Sequence, residues 1–301
     1  MLTHNRQWFF SKVFLSLCKT FSALVFYCVS LGAFAQTPIG IELYSFRNQF
    51  KTNVSGTLEK ISNMGFREIE GGSTYGLSID SFKTLLKKYN LTTVSISADY
   101  KELETNPQAV VDRAKVFGSK YVVCFWIPHN NNEFTFDNAK NAVAVFNAAG
   151  KVLKENGLSL CYHPHGYEFR PYEQTTLFNY MMKNMKRKYV NFEMDVFWIK
   201  HPGQDPVALL KKYKKRFLLM HLKDRKPGTP GNQNGQADVE TNVILGTGDV
   251  NIEAIMKEAK KSRIKHYFIE DESSRSMEQV PRSLAYLNFL TTKTKKRDSK
   301  N

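Results

Sequence analysis

Residues 190–224 read VNFEMDVFWIKHPGQDPVALLKKYKKRFLLMHLKD, and the alternation within this stretch decides the fold. It opens and closes on short apolar runs, 190–195 and 217–223, of the kind expected for strands buried on both faces of a parallel sheet. Between them, Asp205-Pro206 puts a proline in the first turn of a helix, and 207–213 continue as an amphipathic helix. Strands alternating with helices predict a parallel sheet.

The same alternation extends in both directions. Further strands are expected at 40–44, 66–70, 92–97, 121–125, 159–163 and 267–270. Leu58, Ile61 and Met64 share one helical face, and Phe82, Leu85 and Leu86 share another. Helical periods also run through 139–153, 177–185, 252–259 and 277–290, and Asn106-Pro107 opens one more helix. Eight strand–helix units in about 250 residues predict a closed (β/α)8 TIM barrel over residues 36–290. An open, doubly wound sheet would want a glycine-rich phosphate turn after its first strand, where this chain has Tyr44-Ser45-Phe46-Arg47.

The first 35 residues read as a signal peptide. Arg6, Lys12 and Lys19 precede an apolar stretch from Phe21 to Phe34 that closes on Ala33-Phe34-Ala35, a small-x-small cleavage pattern. That stretch falls short of the roughly 20 residues a membrane span needs. The residues before Cys28 lack the small side chains of a lipoprotein site. The expectation is a periplasmic or secreted protein that leaves the membrane after cleavage. Cys124 and Cys161 sit in apolar runs and are expected as free, packed thiols, not a disulfide framework. The net charge of +15 gathers in clusters at 183–188 and 211–216 and in a basic tail, 291–301. Cations at helix ends complement the helix dipole and stay solvated, so no nucleic-acid partner is inferred.

In a TIM barrel the active site is built where the strands end. Here five expected strand ends carry acids or imidazoles: Glu68-Ile69-Glu70, His163-Pro164-His165 with Glu168 beyond, Glu193-Met194-Asp195, His221-Leu222-Lys223-Asp224 and Glu270-Asp271-Glu272. Residues two apart on a strand point to the same side. Burying such groups costs several kcal/mol each unless they are paired or bind a cation. An oxygen-and-imidazole set without thiolates suits one divalent metal, Mn, Mg, Co, Zn or Fe, and not a structural zinc.

These residues also carry a resemblance. Ile41-Glu42-Leu43-Tyr44-Ser45, Met64-Gly65-Phe66, Tyr162-His163-Pro164-His165-Gly166-Tyr167-Glu168-Phe169, Met194-Asp195-Val196-Phe197-Trp198 and His221-Leu222-Lys223-Asp224 resemble the xylose-isomerase-like barrel proteins labelled sugar phosphate isomerase/epimerase. The resemblance implies one divalent metal with four ligands from strands five to eight. Asp195, His221 and Glu270 match three of them. The fourth is His163, standing where many relatives have Glu, or else Glu168 reaching back from the loop. His165 matches a substrate-facing histidine of related dehydratases, and Lys223 is placed beside the metal to stabilise an oxyanion.

The chemistry implied is removal of a proton next to a carbonyl, with Glu168, Glu70 or His165 moving the proton. Its outcome is isomerisation, epimerisation or elimination. Sugar phosphates are cytoplasmic, so export favours an unphosphorylated sugar or glycoside, and the resemblance to exported members of the family implies a keto-sugar or 3-keto-glycoside handled by a lyase or hydratase or by an epimerase. Trp126, Trp198, His129 and His201 follow strands four and six and are candidates for the substrate pocket. The loop 225–245 is long enough for a lid, and its Gly246-Thr247-Gly248 is a weak phosphate signal. Two rival functions remain: a carbohydrate-binding barrel without turnover, and an endonuclease. The latter requires extra histidines at the ends of strands three and four, where strand three offers Ser95-Ile96-Ser97-Ala98-Asp99. Oligomeric state is not legible in the sequence.

Overall fold

A computed structural model describes residues 39–130 and 133–298, with side chains of the final helix described through residue 292. The leader expected at 1–35 lies outside the described residues. Eight parallel strands close into a barrel: β1 (Ile39–Glu42), β2 (Glu68–Glu70), β3 (Thr92–Ser97), β4 (Tyr121–Cys124), β5 (Ser159–Tyr162), β6 (Val190–Asp195), β7 (Phe217–Leu222) and β8 (His266–Ile269). Neighbours in sequence are neighbours in the sheet, and β1 pairs with both β2 and β8, so no edge is left.

A helix follows each strand: α1 (Val54–Asn63), α2 (Ile79–Lys88), α3 (Pro107–Phe117), α4 (Phe136–Glu155), α5 (Leu177–Asn184), α6 (Pro206–Tyr213), α7 (Ile252–Ala259) and α8 (Ser276–Asp298). The starts of α1 to α7 are written locally. Asn53, Ser78, Asn106, Thr135, Thr176, Asp205 and Asn251 each accept an amide N–H from the first turn of the helix they precede. The last helix runs beyond its expected end at 290 and takes in much of the stretch read as a tail.

Apolar helix faces pack on the outside of the barrel. α4, for example, buries Ala142, Phe146, Ala149 and Leu153. A separate cluster, including Val123, Cys161, Leu219 and Phe268, comes from four different strands. Cys161 lies two residues before His163, and Leu219 two before His221, so this apolar layer sits beneath the polar strand ends. Cys124 and Cys161 are both free and buried. No helix among the described residues is long and apolar enough to cross a membrane.

Most differences from the expected elements lie at the carboxyl ends. β1, β4, β5, β7 and β8 stop one or two residues early, which places His163, Lys223 and Glu270 just past the ends of their strands. A short helix, Val196–Lys200, starts directly on β6. Asp195 Oδ1 caps it by accepting from the N–H of Phe197 at 2.7 Å and of Trp198 at 3.0 Å. Further on, Asp224–Arg225 pairs with Asn242–Val243 and clamps the base of the long loop between them.

Candidate metal centre and its pocket

Four side chains from four consecutive strand ends converge at the carboxyl end of the barrel. His163 Nε2 lies 3.8 Å from Asp195 Oδ2. His221 Nδ1 lies 3.9 Å from the same oxygen and 3.2 Å from Glu270 Oε2. Ligand atoms sharing an ion at bonds of about 2.1 Å stand roughly 3.4 Å apart, so the spacing fits. Two of these atoms, His163 Nε2 and Asp195 Oδ2, are buried without a hydrogen-bond partner. Asp195 divides its carboxylate: Oδ1 caps the short helix, while Oδ2 faces the two imidazoles. The donor set, two nitrogens and two carboxylates without thiolate, suits a catalytic divalent ion.

Buried glutamates hold both imidazoles from behind. Glu193 Oε2 lies 3.0 Å from His163 Nδ1. Glu70 Oε1 lies 2.5 Å from His221 Nε2, and the Ser95 hydroxyl donates to the other Glu70 oxygen. Each glutamate accepts the proton of one ring nitrogen and so leaves the opposite nitrogen facing the metal position, an arrangement that fixes tautomer and ring orientation. Glu42, Glu70 and His221 form a second close trio. The short approach of Glu70 to His221 leaves space between them for a proton but not for an ion.

The electrostatics follow from this crowding. Burial, with Glu70 close by, pushes Glu42 and Glu193 well above the usual carboxylate range. Burial also lowers His163 far below its ordinary value and keeps it neutral, as a ligand must be. On His221 burial opposes charge, but Glu193 and Glu70 outweigh it and raise the group. Asp195 is pushed up to about 7 by burial, against the pull of Lys223. Lys223 stays charged despite complete burial, because Glu270 and Glu272 surround it. Its Nζ lies 3.3 Å from Glu270 and donates to Glu272.

Next to these groups is a pocket of about 190 Å³ lined by Trp126, His165, Phe197, Trp198, Lys223 and Glu272. Residues 235–237 of the long loop also line it, as do Val239 and Asn242. His165 stands 4.8 Å from the His163 ring and 5.2 Å from Trp198, ring centre to ring centre. Burial lowers His165 to about 4, so it is a neutral imidazole with a lone pair available.

The structure thus groups His163, Asp195, His221, Glu270, Lys223, His165, Trp126 and Trp198. The other four candidate site residues stand elsewhere. Glu168 is fully buried in its own loop, where it accepts from the Tyr162 hydroxyl and from the N–H of His165 and Gly166, at 3.2 and 2.9 Å. Of the two strand-five candidates, His163 is the one grouped with Asp195 and His221. Glu70 is buried against His221 and is not among the residues that line the pocket. His129 stacks on Trp126 with its Nδ1 2.8 Å from Ile127 O, and His201 stacks on Phe197 with its Nε2 3.0 Å from Asn232 Nδ2; neither lines the pocket. The Gly246-Thr247-Gly248 turn offers no phosphate nest, because Asp224 fills it by accepting the N–H groups of Gly246, Gly248 and Val250 at 2.8, 3.0 and 3.0 Å. The orienting role of Glu193 was missed in the sequence, although its place two residues before Asp195 put it on the same side of the strand.

Comparison with known proteins agrees with this architecture. Among solved structures, a sugar phosphate isomerase/epimerase from Parabacteroides distasonis ATCC 8503 superposes with a TM-score of 0.70 at 24% identity, over 84% of this chain and 98% of that one. The IOLI protein, solved with a zinc atom, superposes with a TM-score of 0.68 at 15% identity, over 85% and 98%. An inosose dehydratase from Clostridium botulinum (strain Alaska E43 / Type E3) is 25% identical over 190 residues, 56% of this chain. The chain spans only 63% of the length of that relative. The family model described as xylose isomerase-like TIM barrel matches residues 58–290, and the chain belongs to that family.

Proposed function

We propose that this protein is a divalent-metal-dependent enzyme that removes the proton next to the ketone of a keto-sugar and expels a β-substituent, acting as a lyase or hydratase on 3-keto-glycosides. The observation that carries the proposal is the convergence of His163 Nε2, Asp195 Oδ2, His221 and Glu270 next to Lys223 and His165, two residues that line a pocket. A C–H beside a carbonyl is far too weakly acidic to ionise unaided at neutral pH. A divalent ion held by these four residues supplies Lewis acidity toward the carbonyl oxygen.

The chain's own groups provide the rest. The Lys223 ammonium, fixed between Glu270 and Glu272, lends positive charge to an oxygen that becomes anionic. His165, neutral and facing the pocket, takes the proton. Trp126 and Trp198 offer ring faces to the apolar C–H face of a sugar. Residues 235–237 form part of the pocket wall beside them. Relatives named for dehydration support elimination over isomerisation, and a leader read as an export signal supports an unphosphorylated substrate outside the cytoplasm.

The test is incubation of the full protein plus Mn²⁺ with methyl 3-keto-glucosides in D₂O, followed by proton NMR. Deuterium uptake at the carbon beside the ketone and release of methanol are expected, and both should vanish in Asp195→Ala. If neither exchange nor cleavage occurs on any keto-glucoside, the proposal fails.

A further inference from the structure

We infer that a second cavity, beside the pocket next to the metal ligands, binds the neutral second ring of a two-ring glycoside. The inference rests on the sugar reading above and adds to it the size of the substrate. This cavity has a volume of about 580 Å³, within the roughly 300–1,000 Å³ of small-molecule sites. The pocket lined by Lys223 and His165, at about 190 Å³, is too small for two sugar rings.

The two spaces are neighbours across a single segment. Residues 232–234 line the larger cavity, and residues 235–237 line the pocket next to the metal ligands. Consecutive Cα atoms stand about 3.8 Å apart, so Asn234 on the larger cavity and Gly235 on the pocket bring the two spaces side by side along this segment. There the chain adopts φ +76, and a Cβ at 235 would come within 2.7 Å of the Tyr167 ring and 3.1 Å of Trp126. Glycine therefore lets the segment pack closely against Tyr167 and Trp126 at this point.

The wall of the larger cavity suits a neutral polyhydroxylated ring. Asn232, Gln233 and Asn234 line one side, and side-chain amides both donate and accept as hydroxyl groups require. Phe136 and Tyr172 line the other, stacked on each other with centroids 4.5 Å apart and planes 2° from parallel. Tyr180 meets both edge-on and holds Tyr172 in place. Neither Asp nor Glu is among the lining residues, and Arg170 Nε donates to the Gln233 carbonyl at 3.0 Å, tying the amide side to the aromatic side.

The test is calorimetric binding of unoxidised cellobiose and maltose, with methyl glucoside as the one-ring control, to the full protein and to Tyr172→Ala and Gln233→Ala. At least one disaccharide should bind about tenfold tighter than methyl glucoside. Each variant should remove most of that advantage while leaving methyl glucoside unchanged and the melting temperature close to that of the parent. If Tyr172→Ala does not fold, Gln233→Ala alone decides. Equal affinity for one-ring and two-ring sugars, no binding of either disaccharide, or variants that bind both disaccharides like the parent would overturn the inference. Because these sugars undergo no reaction, a disaccharide preference without keto-sugar turnover would retain the site and discard the proposed chemistry. Turnover of one-ring keto-sugars without the preference would do the reverse.

Discussion

Asp195 uses one carboxylate oxygen to start a helix and presents the other to two imidazoles, and this division of labour depends on neighbours that hold the rings still. Glu193 and Glu70 are those neighbours. Glu193→Gln and Glu70→Gln should each weaken Zn²⁺ or Mn²⁺ binding by about 10- to 100-fold, measured by calorimetry, with little change in circular dichroism. Unchanged affinity in both would remove their orienting role. Glu168 tests a different property. Burial pushes its carboxyl up to about 7 from an ordinary 4.5, so the folded chain holds this proton more tightly than the unfolded chain. Its contribution to stability is complete below the unfolded value and declines as pH rises through about 7. Glu168→Gln cannot ionise. The stability of the parent relative to this variant should therefore fall by up to a few kcal/mol between pH 5 and pH 8 in urea titrations. A difference independent of pH would show that the group does not titrate in this window.

At the level of elements, the loop after β7 has the most to lose from small changes. Asp224 ties it down by accepting the N–H groups of Arg225, Gly246, Gly248 and Val250, and a Cβ at 248 would stand 2.2 Å from Asp224 Oδ1 and 2.4 Å from Arg225 O. Gly248→Ala must push the turn off this carboxylate. It should cost about 2 to 4 kcal/mol, in line with the loss of buried hydrogen bonds, and should lower kcat because Lys223 is the adjacent residue. A melting temperature and a kcat both equal to those of the parent would show that the turn rearranges freely. The helix starts are more robust, since each rests on a cap within its own sequence.

For the whole molecule, a shared ion should link four strand ends that the sequence spreads from residue 163 to residue 270. An ion that binds only the folded barrel stabilises it by about 2.7 kcal/mol at one hundred times its dissociation constant. For a domain of this size that corresponds to a rise in Tm of roughly 5 to 10 °C. Calorimetric scans with Mn²⁺ or Zn²⁺ and with EDTA should differ by this amount in the parent and coincide in His221→Ala. A parent indifferent to chelation would dismiss the metal centre.

The barrel itself was legible from local pattern, because each strand buried on both faces shows as a short apolar run and each helix as a 3.6-residue period with its own cap. The strand-end acids and imidazoles were legible too, since chemistry in this architecture is confined to those ends. What the sequence could not determine was which of these groups meet. Glu168 and Glu70 look as reactive as Glu270 along the chain, yet Glu168 is taken up by Tyr162 and two backbone amides, and Glu70 lies behind His221. The fates of Asp224, His129 and His201 were likewise decided by partners from other segments. Burial and hydrogen-bond pairing depend on the register of distant strands and the path of a long loop, so only the tertiary structure separates the groups locked into internal hydrogen bonds from those that line the pocket.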